Sequence, residues 1–228
     1  MTQETSSAPA QPGADRFDIE ALVRDLTPVR RIKAREGVVL ALLVAAVCSA
    51  AIAVGLGIRG DLANGAPHWM FIVRSATLLT LGIGAAVAAT AAASPNVGGR
   101  RPRWWRWALG FALLYPAGAL LTVLVSIDTA GQAMRALDPR YGLQCLRMSV
   151  LGALVVGAAM VAWLRRGAPV QAARAGWLVG LASGSLGAAA YSIACSENAV
   201  LYIGTWYTLA IAGCAVAGRL IVPRMLRW

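Results

Sequence analysis

The apolar residues of this chain come in six long blocks, and none of its ten acidic residues falls inside one. The blocks run over about Gly37–Gly57, Trp69–Ala92, Trp107–Ser126, Cys145–Leu164, Ala175–Ala194 and Ala199–Ile221. A helix needs roughly 20 apolar residues to cross the hydrocarbon of a bilayer, and each block meets that length. The blocks lack the period-2 alternation of an outer-membrane strand. Inside lipid every backbone amide must find a partner, which leaves helices. Composition agrees: 58% of the 228 residues are hydrophobic and only 14% are charged, against ~25% charged in an ordinary soluble domain. The expected fold is an all-α membrane protein, a bundle of six transmembrane helices over residues 37–228. Residues 15–36 precede it as a cytoplasmic amphipathic helix and basic run, and residues 1–14, small and polar, are expected to be a disordered tail. No apolar signal-peptide core is visible in the first 36 residues.

Charge placement gives the orientation. Sixteen of the 21 basic residues lie before the first block, in the second and fourth loops, and at the C-terminus. The remaining five, Arg59, Arg74, Arg135, Arg140 and Arg147, lie toward the other side. Lys and Arg near helix ends are retained in the cytoplasm. Six helices put every Arg-rich loop on one side, so both termini are expected in the cytoplasm. The formal charge of +11 is then a topology signal, and direct nucleic-acid binding is not expected. Trp104, Trp105 and Trp107 beside the second loop, and Trp69, Trp206 and Tyr207 near the outer ends, fit headgroup belts. Arg74, about five residues inside the second block, is expected to snorkel to the outer interface; a buried functional cation is the alternative.

The fifth block carries Gly176, Gly180, Gly184 and Ala188 at four-residue spacing. Small residues let helix backbones approach closely where no hydrophobic drive acts between helices. This helix is therefore expected inside the bundle, a homodimer seam being the alternative. Ser183, Ser185 and Ser192 would add polar contacts, and Pro116 should kink the third helix.

Catalytic parts are scarce. The chain has one histidine, His68, and lacks an HExxH motif, a phosphate loop and a GxSxG elbow. No acidic residue falls at mid-membrane, where ion-coupled carriers keep one. An enzyme is not expected, nor a resident cofactor. Cys48 and Cys214 lie mid-helix and read as apolar filler. Cys145 and Cys195 differ: each is 25 residues from Val170 in the fourth loop, so a hairpin of helices four and five brings them to equal depth at the outer rim. Cα atoms within about 7 Å allow a disulfide. Three states are open to the pair: a bridge or thiol switch in an oxidising compartment, a transient soft metal shared with Glu197 or His68, or a static staple or two unpaired thiols.

On the inner side, Ile19, Leu22, Val23 and Leu26 fall at i, i+3, i+4 and i+7, one face of a short helix that Pro28 should end or bend. Arg30, Arg31, Lys33 and Arg35 follow. A helix this short has no core of its own and must lie on the membrane, on the bundle, or in a partner's groove.

Three segments together resemble the NrsF-like family of six-helix membrane anti-sigma factors, which hold ECF-type sigma factors at the bacterial inner membrane. They are LVRDLTPVRR at residues 22–31, the pair Cys145 and Cys195, and CSENAVLYIGTWY at residues 195–207. Ser196 and Asn198 depart from the proline and aspartate that often flank the family's glutamate. The resemblance implies that Ile19, Leu22, Val23, Leu26, Val29, Arg30 and Arg31 contact a sigma factor. It also implies that Cys145 and Cys195, with Glu197 and His68 in support, sense heavy-metal or oxidative stress. The alternative is a small six-helix transporter or channel, with Arg74 and the glycines of the fifth helix as its pathway.

Overall fold

The computed structural model describes residues 33–92, 109–110, 113–114, 116–121, 138–167 and 171–226. The expected cytoplasmic helix, with Ile19, Leu22, Val23, Leu26, Val29, Arg30 and Arg31, lies outside them, as does the greater part of the 107–126 block. The described residues are helical, without strands. In chain order α1 spans Ala34–Leu56, the short α2 Gly60–Ala63, α3 Trp69–Ala91, α4 Pro139–Leu164, α5 Ala172–Ser192, α6 Val200–Tyr202 and α7 Thr208–Met225. Residues 116–121 are helical too. A single π-turn, Ile203–Tyr207, joins α6 to α7.

Among the described residues four segments are long and apolar enough to cross a bilayer: Ala34–Leu56, Trp69–Ala91, Gly142–Leu164 and Val200–Met225. Each turns large apolar side chains outward, for example Leu43 and Val47 on α1, Leu151 and Leu154 on α4, and Leu220 and Ile221 on α7. Exposed apolar stripes on every outer helix are the mark of a lipid-facing surface. The fifth expected span is of another kind. From Ala175 to Ser192 every residue of α5 except Trp177 is buried, against α3, α4 and α7. Its surroundings are protein, so it needs small residues more than lipophilic ones.

Glycine supplies that fit. A Cβ on Gly180 would run into the Cys214 carbonyl and lie 2.8 Å from the Ala215 Cα; one on Gly184 would come 3.1 Å from the Ile211 Cα. On α7, a Cβ at Gly218 would stand 2.5 Å from the Gly176 carbonyl and 2.9 Å from the Gly180 Cα. The four-residue stripe therefore faces α7 of the same chain, and the dimer-seam alternative does not hold. The opposite side of α5 meets α4 in the same way, Gly187 lying against the Ser149 carbonyl and Ala153. The serines contribute less between helices than expected. Ser183 and Ser185 hydroxyls donate to carbonyls of their own helix, Gly180 and Leu181. Ser192 alone reaches another helix, 3.2 Å from the Ser75 hydroxyl.

Two boundaries bear on the site. Helix α4 begins at Pro139, with the Asp138 side chain capping the Arg140 N–H at 2.9 Å. Asp at N-cap followed by Pro at the first helical position is a strong start signal. Cys145 thus sits six residues into the helix rather than opening it. And α5 ends at Ser192, so Cys195 belongs to the connection that follows.

Candidate functional site

The connection between α5 and α6, residues 193–199, carries Cys195. Leaving a helix strands its last carbonyls. Here two arginines supply the missing donors. Arg74, on the second turn of α3, donates from Nη1 to the Glu197 carbonyl at 2.7 Å. From Nη2 it donates to the Ser192 and Cys195 carbonyls at 3.3 and 3.2 Å. Arg59, just after α1, donates from Nη1 to the Cys195 carbonyl at 2.9 Å and from Nη2 to Asn198 Oδ1 at 3.2 Å. The Arg59 backbone N–H reaches the Ile193 carbonyl at 3.2 Å. A planar guanidinium with five donors suits such convergence, and an ammonium does not.

Neither arginine is free to swing away. The Phe71 ring lies under both guanidinium carbons, 5.0 Å from Arg59 and 5.9 Å from Arg74, and Tyr207 lies 5.2 Å from Arg74. Arg59 also forms a two-point ion pair with Asp61, Nε to Oδ1 and Nη2 to Oδ2, the latter 2.8 Å. That contact holds the Asp61 carboxyl down at about 2, helped by the backbone N–H groups of His68 and Leu62. The snorkelling expected of Arg74 does not occur: its side chain is 0% exposed. Unpaired carbonyls within reach are better acceptors for a partly desolvated guanidinium than a distant interface.

One thiol, Cys195, belongs to this tied connection, and the other, Cys145, lies in the same buried cluster. Cys145 and Cys195 are 0% and 4% exposed, both free, and they share one buried cluster with Tyr191, Tyr202 and Tyr207. The Cys145 thiol is beside the hydroxyls of Tyr202 and Ser149. The π-turn explains two of the tyrosines. In i→i+5 geometry residues five apart face the same way, so Tyr202 and Tyr207 both reach the cysteine cluster. One turn before Cys145, a Cβ on Gly142 would strike the Trp206 indole, which occupies that space.

The other expected sensor residues take different places. His68 is exposed; its Nδ1 accepts from the Met70 N–H at 3.2 Å as the cap of α3, and its own N–H donates to Asp61 at 3.0 Å. Glu197 contributes its carbonyl, to Arg74, and its side chain is exposed. Among the described residues no group of three or more His, Cys, Asp or Glu side chains is arranged to hold a metal. Asp61, Asn198 and Arg59 belong to the site and carried no sequence signal of it, apart from Arg59 standing on the outer side.

Geometry of this kind defines a class: a helical membrane protein that buries two cysteines, one of them in a connection tied down by arginines. The family described as NrsF, negative regulator of sigma F, matches residues 22–228, and the chain belongs to it. It is 30% identical over 174 residues to the anti-sigma-F factor NrsF of Caulobacter vibrioides, covering 75% of this chain and 78% of that protein. It is 26% identical over 173 residues to the probable anti-sigma-F factor NrsF of Azospira oryzae, covering 76% and 79%. No solved structure matches the chain.

Proposed function

We propose that this protein is a membrane-embedded anti-sigma factor, a regulator rather than a catalyst, which sequesters an ECF-type sigma factor through residues 15–36. The observation that carries the reading is the family match beginning at Leu22, inside the segment whose face is Ile19, Leu22, Val23 and Leu26. Those side chains would seat in a groove of the sigma factor, with Val29 beside them and Arg30 and Arg31 against acidic patches. Both termini are assigned to the cytoplasm of a bacterial inner membrane and the bundle six spans, on the strength of the sixteen basic residues that fall on one side. The sixth-span count takes in α5, whose low lipophilicity follows from its burial, and the 107–126 block.

The signal is assigned to Cys145 and Cys195, which sit together at the end of the bundle that this topology places outside. Thiolates bind soft metals and are the species oxidised in a disulfide. Either event would need space within the tyrosine cluster, and so would displace the connection that Arg59 and Arg74 hold. Transmission requires two bundle arrangements that bind the sigma factor differently.

The test is co-expression with candidate ECF sigma factors. A sigma factor should co-purify with the full chain, and Leu22→Asp with Leu26→Asp should release it. Sequestration undiminished after removal of residues 1–33 would refute the reading.

A further inference from the structure

Helix α1 is closely packed at one end and thinly packed at the other. Its buried residues, Gly37, Ala41 and Ala45, all lie in the inner half. A Cβ on Gly37 would stand 2.6 Å from the Thr90 methyl on α3 and 2.8 Å from the Trp163 ring on α4. From Ala46 to Leu56 no residue is buried, although this stretch makes about 16 Å of helix. At the same end α3 is buried through Met70, Arg74 and Leu78, and α4 through Cys145 and Ser149. Among the described residues a space of about 360 Å³ lies between Ile52 and Gly55 of α1 and Met148, Leu151 and Val155 of α4. Close-packed protein leaves few voids larger than a water molecule, so side-chain packing does little to fix the outer half of α1.

Its tip is fixed by hydrogen bonds. Arg59, three residues beyond Leu56, is 4% exposed and tied to the 193–199 connection three times. Its N–H donates to the Ile193 carbonyl, Nη1 to the Cys195 carbonyl and Nη2 to Asn198 Oδ1. The connection that carries Cys195 is therefore the latch of α1. At the other end α1 begins at Ala34, within the 15–36 stretch assigned to the sigma factor.

We propose that α1 transmits the state of the Cys195 connection to the sigma-binding segment. When the connection shifts, Arg59 lets go and α1 tilts about Gly37–Ala45 into the space beside α4. A rod that pivots swings its two ends in opposite directions, so closure against Met148–Val155 reorients residues 33–36. The proposal rests on the reading of the protein as a thiol-governed anti-sigma factor, and it supplies the two arrangements which that reading requires.

Two arms test it. The first needs no sigma factor. Spin labels go on Val54→Cys and Leu154→Cys, exposed positions that do not line the space. The full chain carries them in lipid nanodiscs, with its four native cysteines replaced by serine or alanine. Adding Arg59→Gln should shorten the distance between the labels, and an unchanged distance distribution would overturn the proposal. The second arm follows bound sigma factor. Ala51→Phe puts bulk into the space from an exposed position of α1. It should leave resting binding intact and raise the dose of a thiol-specific metal ion needed for release by at least about tenfold. Cysteine-dependent release at the wild-type dose in Ala51→Phe would overturn the transmission step alone, and it decides the matter even where Arg59→Gln misfolds. A wild-type chain that never releases its sigma factor would instead refute the functional reading, and the transmission step with it.

Discussion

Arg59 and Arg74 converge on one atom, the carbonyl oxygen of Cys195, at 2.9 and 3.2 Å. They come from different elements, so the position of Cys195 depends on α1, α3 and the end of α5 together. A cysteine held this way is coupled to the whole end of the bundle.

The first prediction concerns that coupling. Arg74→Leu strands the carbonyls of Ser192 and Glu197, each at a cost of about 1 kcal/mol in a membrane setting, and leaves the Cys195 carbonyl to Arg59 alone. Thermal unfolding in detergent should drop accordingly, and Cys195 should alkylate faster with a bulky maleimide. Arg74→Lys keeps the charge without the fork and should fall between. Unchanged labelling of Cys195 in Arg74→Leu would show that the arginine does not hold the connection.

The ion pair on Arg59 gives a pH dependence. The Asp61 carboxyl is held down at about 2, below its ordinary value of about 3.9. A group with a lowered folded value stabilises the fold above its unfolded value, and that contribution is lost as pH falls through the folded one. Labelling of Cys195 by an acid-tolerant thiol reagent should therefore rise between about pH 4 and pH 2. Asp61→Asn should show the raised labelling already at neutral pH, with that step absent.

Packing supplies a paired test. Gly180→Val puts a branched side chain where the Cys214 carbonyl and Ala215 stand. Overpacking of this kind costs about 1–3 kcal/mol or more. Gly213 on the same helix as Cys214 has nothing within 4 Å of its Cβ position, so Gly213→Ala should be neutral. Size-exclusion profiles and melting temperatures in detergent would separate the two.

The thiols are buried, so reagent size should matter. A mercuric or cadmium ion should reach Cys145 and Cys195 while a large maleimide reacts slowly, and Cys145→Ser with Cys195→Ser should abolish metal binding while leaving membrane insertion intact. Equal metal binding by the double variant would remove the pair from the sensing role.

Much of this was legible in the residues. Apolar length marked α1, α3, α4 and the helix ending at Met225, and the glycine spacing put α5 inside. What sequence reasoning missed was local. Asp138 and Pro139 announce an earlier start for α4, but apolar blocks are delimited by hydropathy, and the start falls in a polar stretch. The π-turn has no residue signature in IGTWY, so the shared direction of Tyr202 and Tyr207 emerged only in three dimensions. Arg74 was misjudged because snorkelling assumes that water is the nearest acceptor. The carbonyls of a connection 118 to 123 residues away in the chain are invisible to any local reading.

On the proposed reading, chemistry at the cysteine pair governs release of a sigma factor. The test reconstitutes the full chain in lipid nanodiscs with the sigma factor that co-purifies with it and follows bound sigma factor as a thiol-specific metal ion or oxidant is added. Dose-dependent release from the wild-type chain, lost in Cys145→Ser with Cys195→Ser while basal binding persists, is the predicted result. Identical release curves for the two proteins, or a sigma factor that stays bound however fully both thiols are modified, would contradict it.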